Sequence, residues 1–169
     1  MYKYLFLTAS LLLGIKIASG QDSGNKQIDI GDNIPLLTIT NIVNKDIDSL
    51  ELKNLYNDGL LIVSFWATWC APCIEEMRLL NDLIDKGSNF RVLSVSHDDG
   101  SKVEDFIKKN DFTNNLIITT DDKTLSDIFK HRYLPHNVWI NSNGKIIAIT
   151  GGNSISEKNI TYAIEHRSE

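Results

Sequence analysis

Residues 60–80 read "LLIVSFWATWCAPCIEEMRLL". The first eight, Leu60 to Ala67, form a continuous apolar run with β-branched and aromatic members. A run of that kind suits a strand buried on both faces at the centre of a sheet. Helical spacing starts straight after Pro72: Ile74, Met77, Leu80, Leu83 and Ile84 share one face, and Gly87 stops the pattern. The stretch therefore predicts a central strand, a short turn and a helix. The only two cysteines of the chain, Cys70 and Cys73, lie where strand passes into helix.

Working outward, the alternation continues. "FRVLSVS" at 90–96 is a second buried strand, and "GSKVEDFIKKN" is a helix with Val103, Phe106 and Ile107 inward. "LIITT" at 116–120 is a short strand. "DDKTLSDIFKHR" is a helix capped by Asp122 or Thr124, with Leu125, Ile128 and Phe129 on its core face. "HNVWINSNGKIIAIT" is a strand pair around Ser142-Asn143-Gly144, where Asn-Gly marks a hairpin, and "SEKNITYAIEHR" is a closing helix. Ahead of the central strand, "PLLTITNIV" reads as a strand or edge hairpin and "SLELKNLYN" as a short helix or turn. The order β-α-β-α-β-α-β-β-α from Leu60 argues for an α/β domain with an antiparallel pair at its end.

The N-terminus differs in kind. In "MYKYLFLTASLLLGIKIASG", Lys3 precedes an apolar stretch from Tyr4 to Ile15, and Ala18 and Gly20 are small at the positions a signal peptidase reads. We expect residues 1–20 to be a secretory signal, 21–33 ("QDSGNKQIDIGDN") a polar linker, and 34–169 one domain. The alternative is a membrane anchor left uncleaved, which Lys16 interrupts too early for a span of about 20 residues. Cleavage before Gln21 removes two lysines and no acid, so a net charge of -5 becomes -7. That balance excludes the basic footprint of a nucleic-acid binder. The remaining chain is expected to be exported, soluble and monomeric.

A disulfide closing so short a loop adds little stability, because the gain grows with loop length. Zinc needs two more ligands, and the four histidines, at 97, 131, 136 and 166, show no metal-ligand spacing. Covalent haem attachment needs His at position 74, where this chain has Ile. What remains is redox use. At a helix start the unpaired N–H groups and the positive end of the dipole stabilise a thiolate and lower its pKa. Pro72 costs little there, since its missing N–H is one of the unpaired ones. A neighbouring thiol can then resolve a mixed disulfide within the same chain. No cofactor and no metal are called for.

The segment "VSFWATWCAPCIEEM" resembles the active-site region of thioredoxin-fold proteins, and most closely the exported TlpA/ResA-like thiol–disulfide oxidoreductases. The resemblance runs from about Ile34 to the C-terminus and includes the helix at 101–110 and "YLPHNVWINSNGKI". It implies a thioredoxin-like fold: a central mixed sheet flanked by helices, with an extra central helix. It implies Cys70 as nucleophile, Cys73 as resolving thiol and a redox-active Cys70–Cys73 disulfide. It also implies a cis-proline at Pro135, preceded by Leu134, whose backbone meets substrate. Trp69, Pro72, Leu134 and Pro135 are the expected substrate contacts, with Trp66 packed beneath. The implied partners are protein thiols or disulfides, apocytochromes among them, and a membrane electron donor. The favoured direction is reduction, with oxidase or isomerase activity, or a non-catalytic binding module, as alternatives.

The chain departs from the family in places. Cytosolic thioredoxins carry a buried Asp where this chain has Ser64. Asp98, with Asp99 beside it, is the nearest match to an acid that some exported members place after the next strand, and it is the candidate proton acceptor; helix capping is the competing role. Glu75 and Glu76 are expected on the solvated surface, and His97 in an exposed loop. A peroxidase would place Thr three residues before the attacking Cys, where this chain has Ala67. No Pro occurs from Ile74 to Leu83, so the helix should run straighter than is usual in the family.

Overall fold

In the computed structural model, which describes residues 28–120 and 122–166, strand β3 (Leu60–Trp66) is buried at every position. β4 (Phe90–Ser96) lies parallel to it, from Leu60 opposite Phe90 to Trp66 opposite Ser96. β5 (Ile117–Thr119) is parallel to β4. On the other side β6 (His136–Ile140) runs antiparallel to β3, with Ser64 opposite Asn137 and Phe65 opposite His136. β7 (Ile146–Gly151) completes the sheet antiparallel to β6. The order is β5-β4-β3-β6-β7, so the most apolar strand is the innermost. The expected signal sequence lies outside the described residues, and among these no helix is long and apolar enough to cross a membrane.

Alternate residues of β3 feed two cores. Leu60, Ile62 and Trp66 face helix α2 (Ala71–Asp85), which packs through Met77, Leu80 and Leu83; α3 (Gly100–Lys108) and α5 (Glu157–Glu165) add Val103, Ile160 and Ala163 to that side. Leu61, Val63 and Phe65 face α1 (Lys53–Tyr56) and α4 (Asp122–Ile128) with Leu55, Tyr56 and Leu125, and Phe129 follows directly after α4. The extra central helix is α3, the crossover between parallel strands β4 and β5, followed by a 3-10 turn at Asp111–Thr113. Thr124 falls inside α4 rather than at its cap.

Two sequence expectations need correction in detail. Leu50–Glu51 form a strand, β2, paired with β1 (Thr38–Ile39), and only Lys53–Tyr56 are helical. The reason is alternation: Leu52 is buried and its N–H donates to the Leu37 carbonyl, while Glu51 points outward and accepts from the Thr38 hydroxyl. Packing against the sheet also starts before Ile34. Gly31 N–H donates to the Ile146 carbonyl and Ile146 N–H to that of Asp32, along the outer edge of β7. The β6–β7 turn is built as its Asn-Gly pair suggests: Gly144 has φ +78°, and Asn141 Oδ1 accepts from the N–H groups of Asn143 and Lys145.

Candidate active site

β3 ends at Trp66, and a tight turn follows in which Cys70 N–H donates to the Ala67 carbonyl at 3.0 Å. Cys70 is the N-cap of α2, Pro72 falls within the first turn, and the Cys70 carbonyl accepts from Ile74 N–H at 3.1 Å. The two cysteines are joined as a disulfide with their Cα atoms 5.3 Å apart. Cys70 is 4% exposed and Cys73 1%. Cys70 is thus the slightly less buried of the two, and although its side chain makes no capping bond in the disulfide, its N-cap position is one where unpaired helix N–H groups and the helix dipole stabilise a thiolate when the bond opens.

The surroundings separate the two tryptophans. Trp66 is fully buried and packs on Phe106 with ring centroids 5.0 Å apart. Trp69 is 74% exposed, far more than a Trp at the edge of a core. The Leu134–Pro135 bond is cis. Pro135 is buried, one step beyond the Phe65–His136 pair, at the end of β3 from which the cysteine turn springs. Trp69 and half-buried Leu134 line one groove together with His97, His131, Arg132 and Tyr133. Tyr133, 82% exposed, was not singled out in the sequence; as an aromatic next to the expected contact Leu134, it carried the signal.

Three carboxylates need separate accounts. Asp99 stands at the N-cap of α3 but its side chain makes no capping bond. Asp98 Oδ2 accepts from Thr68 N–H at 2.6 Å, tying the loop after β4 to the turn that carries Cys70. Glu76 overturns its expectation of solvation: it is 8% exposed, whereas Glu75 is on the surface. Both lie beyond the first turn of α2. Glu76 is three residues after Cys73, so the two share the inward face of the helix with Cβ atoms roughly 5–6 Å apart. Its Oε2 accepts from Asn137 Nδ2 at 2.9 Å. Burial raises the Glu76 pKa above the ordinary carboxylate value; the Asn137 bond and the Asn153 backbone N–H offset part of that. Ser64, at the thioredoxin Asp position, lies directly across from Asn137, so a buried acid is present at this site but reaches it from the helix.

Two histidines, His97 and His131, line the groove, and a third, His136, stacks on one of them. His97 Nε2 and His131 Nε2 are 2.8 Å apart, and His131 stacks on His136 at 4.8 Å. His131 Nδ1 lies 2.8 Å from the Phe129 carbonyl, so it carries the proton that bond requires. The pKa of His136 is pushed down to about 4, by burial first and by His131 second. His97 is exposed, as expected of a loop residue. Among the described residues no group of three or more His, Cys, Asp or Glu side chains is arranged to hold a metal ion.

The fold and this geometry have counterparts. A family model described as AhpC/TSA family matches residues 30–149. A thiol-disulfide oxidoreductase ResA from Oceanobacillus iheyensis is 30% identical over 161 residues, covering 89% of this chain and 82% of the relative. The ResA of a Bacillus cereus strain is 27% identical over 158 residues, covering 91% and 88%. Among solved structures, the thioredoxin domain of a thiol-disulfide oxidoreductase from Bacteroides vulgatus superposes with a TM-score of 0.65 at 20% identity, covering 82% of this chain and 99% of that one, which shows the shared fold. With a Cys-x-x-Cys disulfide at the start of α2 and a ResA relative matched along most of its length, the chain belongs to the AhpC/TSA family and is a thiol–disulfide oxidoreductase of thioredoxin fold.

Proposed function

We propose that this oxidoreductase works as an exported reductase of protein disulfides. The observation that carries the reading is the Cys70–Cys73 pair at a helix start, with Cys70, the less buried of the two, next to exposed Trp69. Cys70 thiolate attacks a sulfur of the substrate disulfide; the substrate's other sulfur leaves as a thiolate, and a mixed disulfide forms. Cys73 then attacks Cys70 Sγ, freeing the second substrate thiol and closing the bond seen here. Two electrons pass to the substrate, and a membrane dithiol donor returns them. Trp69, Pro72, Leu134 and Pro135 form the substrate contact surface, in which the partner is a polypeptide, apocytochromes included.

Resolution needs Cys73 to lose a proton inside the protein. Glu76 takes it: a buried carboxylate with a raised pKa, on the same helix face one turn away, is matched to that task. Asp98 is the second candidate acceptor, but its carboxylate already holds Thr68 N–H. Export rests on the pattern of residues 1–20, and the reducing direction on the ResA resemblance. Replacing Cys73 with Ser in cells should trap substrate proteins on Cys70 as mixed disulfides that reductant releases. A variant that traps none while folded, with Cys70 alkylatable, would contradict the exchange mechanism.

A further inference from the structure

Asn137 is an anomaly in its own strand. It is fully buried at the middle of the sheet, paired through its backbone with Ser64 on one side and Thr150 on the other. Asparagine is disfavoured in strands, and burying its amide costs free energy that an apolar residue would not. Its neighbours on the same face, Trp139 and Ile62, are apolar. A polar row interrupts that face: Asn137, Ser64 and Ser94 are cross-strand partners and project together under α2. The sole hydrogen bond of the Asn137 side chain goes from Nδ2 to Glu76 Oε2; Asn137 Oδ1 and Glu76 Oε1 have no protein partner among the described residues.

We propose that Asn137 is a positioning residue for the exchange reaction, whose amide satisfies Glu76 in both protonation states and so sets the pH at which that carboxyl accepts the Cys73 proton. The proposal rests on the reading of Glu76 as the acceptor. An ionised Glu76 only accepts hydrogen bonds, and Nδ2 supplies one. A protonated Glu76 needs an acceptor for its O–H. Half a turn about the last side-chain torsion brings Oδ1 to the place of Nδ2, and terminal amide torsions are broad and roughly two-fold. The strand on either side fixes the backbone, so this rotation is the one freedom the side chain needs. An apolar residue here would leave the anion only the Asn153 N–H as a donor and shift Glu76 toward its neutral form. A carboxylate here would share one proton with Glu76.

The charge balance is local. In the resolving step the Cys73 S–H bond breaks and its proton passes to Glu76. The Cys70–Cys73 bond forms, the bond from Cys70 to substrate sulfur breaks, and the departing thiolate takes a proton from solvent, to which Glu76 afterwards returns the one it accepted. The groups acting on the carboxyl are its own burial, the Asn137 amide and the Asn153 N–H from the β7–α5 loop. His136, adjacent in the strand, lies on the opposite face with Phe65.

The test is a carbon-13 NMR titration of the Glu76 carboxyl in the oxidised full-length protein, beside the pH profile of single-turnover reduction of a disulfide peptide. Asn137→Leu should raise the carboxyl midpoint by about one pH unit, a tenfold change in its ionisation constant, as expected for losing a hydrogen bond to a charged group. Asn137→Thr, whose hydroxyl both donates and accepts, should bring the midpoint most of the way back, and it stands in should the Leu variant not fold. The kinetic midpoint should move with the carboxyl, and Glu76→Gln should abolish any effect of Asn137→Leu on it. An unmoved carboxyl midpoint in folded Asn137→Leu, or no recovery with Thr, overturns the proposal. A carboxyl midpoint that moves while the kinetics do not overturns the Glu76 reading beneath it.

Discussion

Consider replacing His136 with Phe. The imidazole stacks on His131 at 4.8 Å and contacts Phe65 at 5.8 Å, so a phenyl ring can keep the packing while removing the titration. The His136 pKa falls from 6.5 to about 4 on folding, chiefly through burial. Between those values the unfolded chain binds more protons than the folded one, so stability rises with pH across the window and is lost as pH falls through it. At pH 5 the linkage amounts to about 2 kcal/mol; because the ring is only partly buried, solvent screening reduces this to about 1–2 kcal/mol. Urea unfolding of the oxidised protein at pH 7.5 and pH 5 measures it. Wild type should lose about 1–2 kcal/mol more than His136→Phe over that interval. Glu76 works in the opposite sense: its raised pKa means that stability falls as pH climbs above its ordinary value. Both chains carry it, so it cancels in the comparison. Equal losses in the two chains would refute the reasoning for His136.

Trp69→Ala should raise KM for a protein disulfide about three- to tenfold, as for an aromatic contact residue, yet change stability by less than about 0.5 kcal/mol because the ring is solvent-exposed; urea unfolding and insulin reduction measure the two. Asp98→Ala removes the acceptor of Thr68 N–H and should cost about 1.5–2 kcal/mol in urea unfolding. Asp98→Asn retains an acceptor oxygen; if it preserves the resolving rate, measured by stopped flow, proton transfer belongs to Glu76, and a collapsed rate would assign it to Asp98 instead. Trp66→Ala, which empties a fully buried site against Phe106, should cost about 3–5 kcal/mol and unfold the chain at far lower urea.

The central unit was legible because its signals are local. The eight-residue apolar run and the spacing of Met77, Leu80 and Leu83 depend on no distant partner, and both were realised as β3 and α2. Resemblance added the cis bond at Pro135, which no periodicity reveals. Short elements were less readable: Leu50, Leu52 and Leu55 fit alternation and helical spacing alike, and pairing with Thr38–Ile39 decided for a strand at Leu50–Glu51. Glu76 was misplaced for a different reason. Two adjacent glutamates on a helix look equivalent in sequence; only the arrival of Asn137, 61 residues later, distinguishes the buried one. The groove residues His131 and Tyr133 are likewise assembled by tertiary structure, from a loop that meets Trp69 and His97 only once β6 lies beside β3.

The most direct test is the equilibrium reduction potential of the Cys70–Cys73 pair in purified protein, measured against a thiol–disulfide buffer. A reductase should give a value near about -270 mV, comparable to thioredoxin. A value near about -120 mV would mark a protein that donates its disulfide and would reverse the proposed direction. A pair that never equilibrates with the buffer would contradict exchange at Cys70 altogether.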